Sequence, residues 1–192
     1  MAITNYRERV LADIRHELAA VGPIGSALDF GSGDGFFCSR LRTLGAADTI
    51  TPVDVVERKQ SHVRPVLYDG GRLPFGAASF DLAYAVDVLH HCPDPLFALD
   101  EMARCTRRWL LLKDHNCNGP VGDVALTVLD ELGNRRFGIP SPGLYQRHWA
   151  WVQRLESRGF KRLAFRHPLR CHVGLLGALT NSLQFIGLWQ RV

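Results

Sequence analysis

The chain has 192 residues, 46% of them apolar and 22% charged, with a net charge of +4. That balance fits one globular domain, 1–192, with a sizeable core, and it excludes an intrinsically disordered chain. Five cysteines without paired metal-ligand spacing, and odd in number, exclude a zinc module and a complete set of internal disulfides, so no metal is assigned and a reducing, cytoplasmic setting is expected.

The opening MAITNYRERVLADIRHELAAVG carries charges throughout and has no continuous apolar core, so residues 1–24 read as an amphipathic helix with Val10, Ile14, Leu18 and Val21 near one face. A strand over Ala27 to Phe30 follows, then a glycine-rich turn and a helix over Phe36 to Leu44. Further strands are predicted at Thr49 to Val53, Val63 to Leu67, Phe80 to Val86 and Trp109 to Lys113. A helix over Pro95 to Thr106 aligns Leu96, Leu99, Met102 and Ala103. Alternation of this kind predicts an α/β, doubly wound, Rossmann-like sheet with helices on both faces.

From residue 116 to 151 the pattern becomes insertion-like. Val121 to Leu132 is expected to be helical, Pro-containing turns follow, and helical spacing resumes from Gln146 to Arg158. This segment is the expected substrate-side cover, with Phe137, Leu144, Tyr145, His148, Trp149 and Trp151 as its aromatic and apolar content; packing against the sheet is the competing role for Trp149. Phe160 to Phe165 and Ser182 to Trp189 read as a terminal antiparallel hairpin, bringing the sheet to about seven strands, although Leu175 to Leu183 also fits a helix. The apolar run Val173 to Leu179 is too short to span a membrane.

Charge is uneven along the chain. Residues 1–132 hold 13 Lys or Arg against 18 Asp or Glu, whereas residues 133–192 hold 10 against one. The basic third, including Arg135, Arg136, Arg147, Arg154, Arg158, Lys161, Arg162, Arg166 and Arg170, fits either a solvated face or a surface for an anionic substrate, membrane or nucleic acid. No nucleic-acid module accompanies it, so a solvated face is favoured.

The run LDFGSGDGFF, residues 28–37, carries the sharpest signal. Its glycines at 31, 33 and 35 follow an apolar strand ending in an acid and precede a helix whose first amides are free to meet a ligand. A dinucleotide fingerprint needs glycine at its sixth place, which here is Phe36, and no Gly-Lys-Ser or Gly-Lys-Thr follows to make a phosphate loop. Asp29, Asp54, Asp69 and Asp87 all fall at or just beyond predicted strand ends, where open alternating sheets bind ligands.

With LDFGSGDG, the acid of VDV at Asp54, the YDG of residues 68–70, LPFGAASFDLAYAVDVLHH and LLLKDH in this order, residues 27–115 resemble the class I S-adenosylmethionine-dependent methyltransferases, in particular the small-molecule, quinone-biosynthesis-like (type 11) group. The resemblance implies S-adenosylmethionine as cofactor and S-adenosylhomocysteine (SAH) as product. It places Asp29, Gly31, Ser32, Gly33 and Gly35 around the methionine moiety, Asp54 and Val55 at the ribose, Tyr68, Asp69 and Gly70 near adenine, and Ala85, Asp87 and Leu89 on the methyl-donor side. His90, His91 and His115 are the candidates for removing an acceptor proton. The expected partner is a small organic acceptor, apolar or anionic; an RNA methyltransferase and a noncatalytic partner protein that keeps the fold are the alternatives. The sequence does not fix the oligomeric state.

Overall fold

The computed structural model describes residues 2–119, 122–127 and 144–192, with residues 2–5 as backbone alone. Its elements are α1 (Ala2–Leu18), β1 (Ser26–Phe30), α2 (Phe36–Thr43), β2 (Thr49–Asp54), β3 (Val66–Leu67), β4 (Phe80–Val86), α3 (Pro95–Cys105), β5 (Thr106–His115), α4 (Ala150–Ser157), β6 (Phe160–Arg166), α5 (Gly174–Thr180) and β7 (Gln184–Arg191). Seven strands form one sheet in the order β3-β2-β1-β4-β5-β7-β6. The first five are parallel, and β7 runs antiparallel to both β5 and β6.

Strand alternation distributes the core to two faces. Leu28, Phe30, Ala83, Ala85, Leu110, Leu112, Phe185 and Trp189 point to one, where α3 and α4 bring Leu99, Met102, Trp151, Val152 and Leu155. Ala27, Leu82, Tyr84, Trp109, Leu111, Ile186 and Leu188 point to the other, covered by Val10, Leu11, Ile14 and Leu18 of α1 and by Cys38 and Leu41 of α2. Asp29 lies in register with Ala27, so a carboxylate is carried into the second layer. The start of α3 is fixed locally: Asp94 accepts from the amides of Leu96 and Phe97 at 3.1 and 3.0 Å, with Pro95 in the first turn.

Departures from the sequence reading have identifiable structural causes. The N-terminal helix stops at Leu18. The third strand shrinks to Val66–Leu67 because Val63 turns away to pack under Gly35 and the His62 amide donates to Asp34 O at 2.7 Å. Helix α4 starts at Ala150 and not at Gln146, since His148 and Trp149 both hold positive φ, 50° and 60°. The expected hairpin is an antiparallel pair without a tight turn: residues 167–183 include α5 and a 3-10 turn, Asn181–Leu183, and cross the carboxyl edge of the sheet. Of the helix expected at Val121 to Leu132, residues 122–127 are helical and the remainder lies outside the described residues, as do Arg135, Arg136 and Phe137. No described helix is long and apolar enough to cross a membrane.

Candidate active site

Parallel strands that end side by side expose their carboxyl termini along one edge, and the glycine loop after β1 is pinned there by its neighbour β2. The amides of Gly31 and Ser32 donate to Val53 O at 2.9 and 3.0 Å, and the amide of Gly35 to Ser32 O at 2.8 Å. Asp54, at the end of β2, accepts from the Gly33 amide at 2.7 Å with one oxygen and from Val55 and Val56 at 2.7 and 3.2 Å with the other. Gly35 has φ 75°, and a Cβ there would lie 2.3 Å from Val63 Cγ2; at Gly33, φ 61°, the same Cβ would meet no atom within 4 Å. Gly35 therefore serves packing and conformation, whereas Gly33 faces open space beside Asp54.

Two buried polar atoms of this loop lack a hydrogen bond, Asp29 Oδ2 and Ser32 Oγ. Buried polar atoms are nearly always satisfied, so Ser32 Oγ, next to the open face of Gly33, is free to meet a ligand, whereas Asp29 lies in the core layer beside Tyr84 and Cys38. Burial pushes the Asp29 carboxyl up to about 7, the nearby Tyr84 hydroxyl opposing and the Asp54 charge adding to the shift. The Tyr84 hydroxyl itself makes no hydrogen bond of normal length.

Farther along the edge, Tyr68 is half-buried with its ring 6.4 Å from Phe30, and its amide donates to Asp54 O at 3.2 Å. Asp69 is exposed and closes a turn on the Gly71 amide at 2.9 Å; Val55 is exposed, and Gly70 stands next to it. These residues sit together beyond β2 and β3. Ala85 and Leu89 do not offer side chains, which are buried in the first core layer, so only their backbone borders the edge.

Asp87, expected on the methyl-donor side, is engaged by side chains of the chain itself. It holds φ 54°, and its carboxylate is bound to Lys113 Nζ at 2.6 Å and to the Tyr6 hydroxyl. Lys113 is fully buried on β5 and also donates to Tyr6 Oη and Gln184 Oε1, each at 2.6 Å. Burial pushes the Asp87 carboxyl up, but the Lys113 charge holds it below the usual range. Tyr6 stacks on His172 with ring centroids 4.6 Å apart, so α1 and the β6–β7 connection meet over the ends of β4 and β5. Burial beside the Lys113 charge lowers His172 to about 4.

The three candidate histidines converge on a residue the sequence reading did not single out. Asp114, buried at the end of β5, accepts from His90 Nδ1 at 2.6 Å, from His115 Nδ1 at 3.1 Å and from the His115 amide at 2.8 Å, all on one oxygen. Its other oxygen takes the amides of Val88 and Leu89 at 3.3 and 3.1 Å. Burial opposes the charge, yet His90 and His115 hold the Asp114 carboxyl well below the usual range. The His90 ring lies 4.0 Å from that of His91, 4.8 Å from that of His115 and 5.4 Å from that of Tyr145. Among the described residues, His90, Asp114 and His115 bring ligand-type atoms within 4.8 Å of one another. The Asp114 oxygens already accept five N–H groups, which makes the carboxylate an anchor for the imidazoles and not an open metal ligand.

Only the ends of the expected cover, 116–151, are largely described. Asn116 Oδ1 accepts from the Trp149 amide at 3.3 Å, Asn118 Oδ1 from that of His148 at 2.8 Å, and Gln146 Oε1 from that of Trp151 at 3.1 Å. Tyr145 is thereby held against the histidines. Trp149 instead packs its ring on Phe165, His167 and Phe185, at 5.2, 4.8 and 5.6 Å, while His148 is exposed. Trp149 has the packing role.

Much of the basic third is neutralised. Arg154 and Arg158 share Asp100, Arg166 binds Asp13 and Glu17, Arg162 binds Glu156 and Arg147 binds Asp123, all at 2.6 to 2.9 Å.

A family model described as a methyltransferase domain matches residues 3–166. Over 115 residues the chain is 30% identical to an uncharacterized methyltransferase of Mycobacterium sp. (strain JLS); the match takes in 55% of this chain and 44% of the relative, so it spans less than half of that protein's length. Among solved structures, the chain is similar to magnesium protoporphyrin IX methyltransferase of Synechocystis PCC 6803 with bound SAH, at a TM-score of 0.64 and 19% identity over 97% of this chain and 84% of that one. A S-adenosylmethionine-dependent methyltransferase of Mesorhizobium loti gives a TM-score of 0.64 at 16% identity, over 94% and 96%. At these identities the two structures speak for the fold.

Proposed function

Because this chain belongs to the methyltransferase-domain family, we propose that it transfers a methyl group from S-adenosylmethionine to a small organic acceptor. The observation that carries this reading is the loop after β1, where Gly33 has open space in place of a Cβ and gives its amide to Asp54, and where the neighbouring Ser32 Oγ is buried without a partner. Asp29, Ser32 and Gly33 would hold the methionine end, Asp54 the ribose hydroxyls through lone pairs its three amide donors leave unused, and Val55, Tyr68, Asp69 and Gly70 the adenine side. When bound, the cofactor supplies an electrophilic methyl on a sulfonium. The chain's own part is to align an acceptor atom and take up its proton, with His90, His91 and His115 grouped at the same sheet edge for the second task. The arginines paired with acids in the basic third support a small acceptor over a nucleic-acid backbone.

Calorimetry with SAH and S-adenosylmethionine tests the cofactor, and a metabolite screen reading SAH formation tests the acceptor class. Binding with the affinity lost in Asp54→Ala is expected. A folded protein that binds neither compound at high micromolar concentration refutes the proposal.

A further inference from the structure

We infer that Asp114 is the positioning residue of a proton-accepting pair with His115, and that the acceptor taken by this site bears a hydroxyl group. The inference rests on the methyltransferase reading and extends it to the reacting atom. An ionised carboxylate can only accept hydrogen bonds, so the short contacts from His90 Nδ1 and His115 Nδ1 require both imidazoles to carry hydrogen on Nδ1. In a neutral ring this leaves Nε2 as the basic nitrogen.

The two rings then differ in what Nε2 meets. His115 Nε2 stands 4.0 Å from Asp87 Oδ1, too long for a hydrogen bond and close enough for a carboxylate to stabilise an imidazolium. Both rings are buried and both lie against Tyr145, at 5.4 Å for His90 and 5.9 Å for His115, so the Asp87 carboxylate is what separates them. His115 therefore accepts the proton, and His90 and Asp114 hold it in place.

A base backed by one carboxylate and faced by another is useful for an acceptor that must lose a proton as it reacts. An amine reacts through its unprotonated fraction without a base in the site, and a carboxylate acceptor meets the Asp87 charge; a hydroxyl oxygen is a weak nucleophile until its proton leaves, so it gains most from the pair. In the step, the acceptor O–H bond breaks toward His115 Nε2 and the oxygen forms a bond to the methyl carbon. The S–CH3 bond breaks with its electron pair left on sulfur, giving SAH and a protonated His115 that returns its proton to water.

The test is nitrogen-15 NMR of histidine-labelled protein loaded with SAH, with His90→Gln and His115→Gln to assign the rings. Signals of the Nδ1–H form are expected for both rings in the native chain. In Asp114→Ala the acceptor for both Nδ1 atoms is gone, and His115 should lose its preference for the Nδ1–H form. Native rings in the Nε2–H form, or rings unchanged in Asp114→Ala, overturn the inference. On hydroxyl-bearing acceptors found by the screen, His115→Gln should lower kcat by about 100-fold or more and remove its rise with pH, with SAH affinity within about threefold of native. Full kcat in His115→Gln, or methyl transfer to amines alone, also overturns it. Loss of SAH binding by the native chain would sink the methyltransferase reading by itself and leave the ring-tautomer result standing.

Discussion

Lys113→Met tests how the site edge is held together. The substitution keeps the buried stem and removes an ammonium that donates at 2.6 Å to Asp87, Tyr6 and Gln184. Breaking a buried ion pair from one side costs about 3–5 kcal/mol, because the remaining charge is stranded. The Asp87 side chain keeps 23% of its exposure and its bond to Tyr6, which places the cost near the lower end, about 3 kcal/mol. For a chain of this size each kcal/mol moves the melting temperature by about 2–4 °C, so a fall of roughly 6–12 °C is expected. The pH dependence has a definite sign. Lys113 holds the native Asp87 carboxyl low; without it, desolvation raises that pKa, so the deficit of the variant is largest at neutral pH and shrinks as acid neutralises Asp87. Urea unfolding at pH 5 and pH 8, with Asp87→Asn and the double variant, gives the coupling energy. A deficit below about 1 kcal/mol, or a double variant that loses the full sum of the single losses, refutes the reasoning.

The two glycines should separate fold from ligand. Gly35→Ala forces a Cβ against Val63 and a left-handed backbone, and is expected to lower stability by about 1–3 kcal/mol, whereas Gly33→Ala, strained but unobstructed, should lose more SAH affinity per unit of stability; calorimetry and thermal melts that show both properties falling in parallel in the two variants would deny the distinction. Asp29 titrates near 3.8 in the unfolded chain and about 7 when folded, so its ionisation subtracts stability progressively as pH rises between those values and by a constant amount above them. Asp29→Asn should therefore stabilise the ligand-free protein more at pH 8 than at pH 5, with a ceiling of roughly 4 kcal/mol; an equal gain at both pH values rules that out. Single-stranded RNA should bind only weakly at physiological salt, since five of the arginines that would meet phosphates are already paired; filter binding with submicromolar affinity would contradict this.

What the sequence made legible is what short-range pattern controls. The apolar runs of β4 and β5, the helical spacing of α3 and the glycine loop after β1 each depend on residues a few positions apart, and the structure places these elements where the pattern does. The errors arise where a distant partner decides. Val63 leaves the strand to pack beneath Gly35, and α4 begins late because Asn116, Asn118 and Gln146 take up the amides that a longer helix would use. The candidate site shows the same division. The carboxylates at the strand ends were readable from position, and the histidines from chemistry, but the hold of Lys113 on Asp87 was not. Lys113 and Asp114 did leave a trace, as charged residues continuing the apolar run of β5, where burial is affordable only with partners. Those partners are Tyr6, Asp87, His90 and Gln184, drawn from α1, from the turn after β4 and from β7. Their meeting is a property of the strand order, since β5 lies between β4 and β7 and α1 reaches over its end. A buried charge inside an otherwise apolar strand thus marks where a site is anchored, and the topology alone determines what answers it.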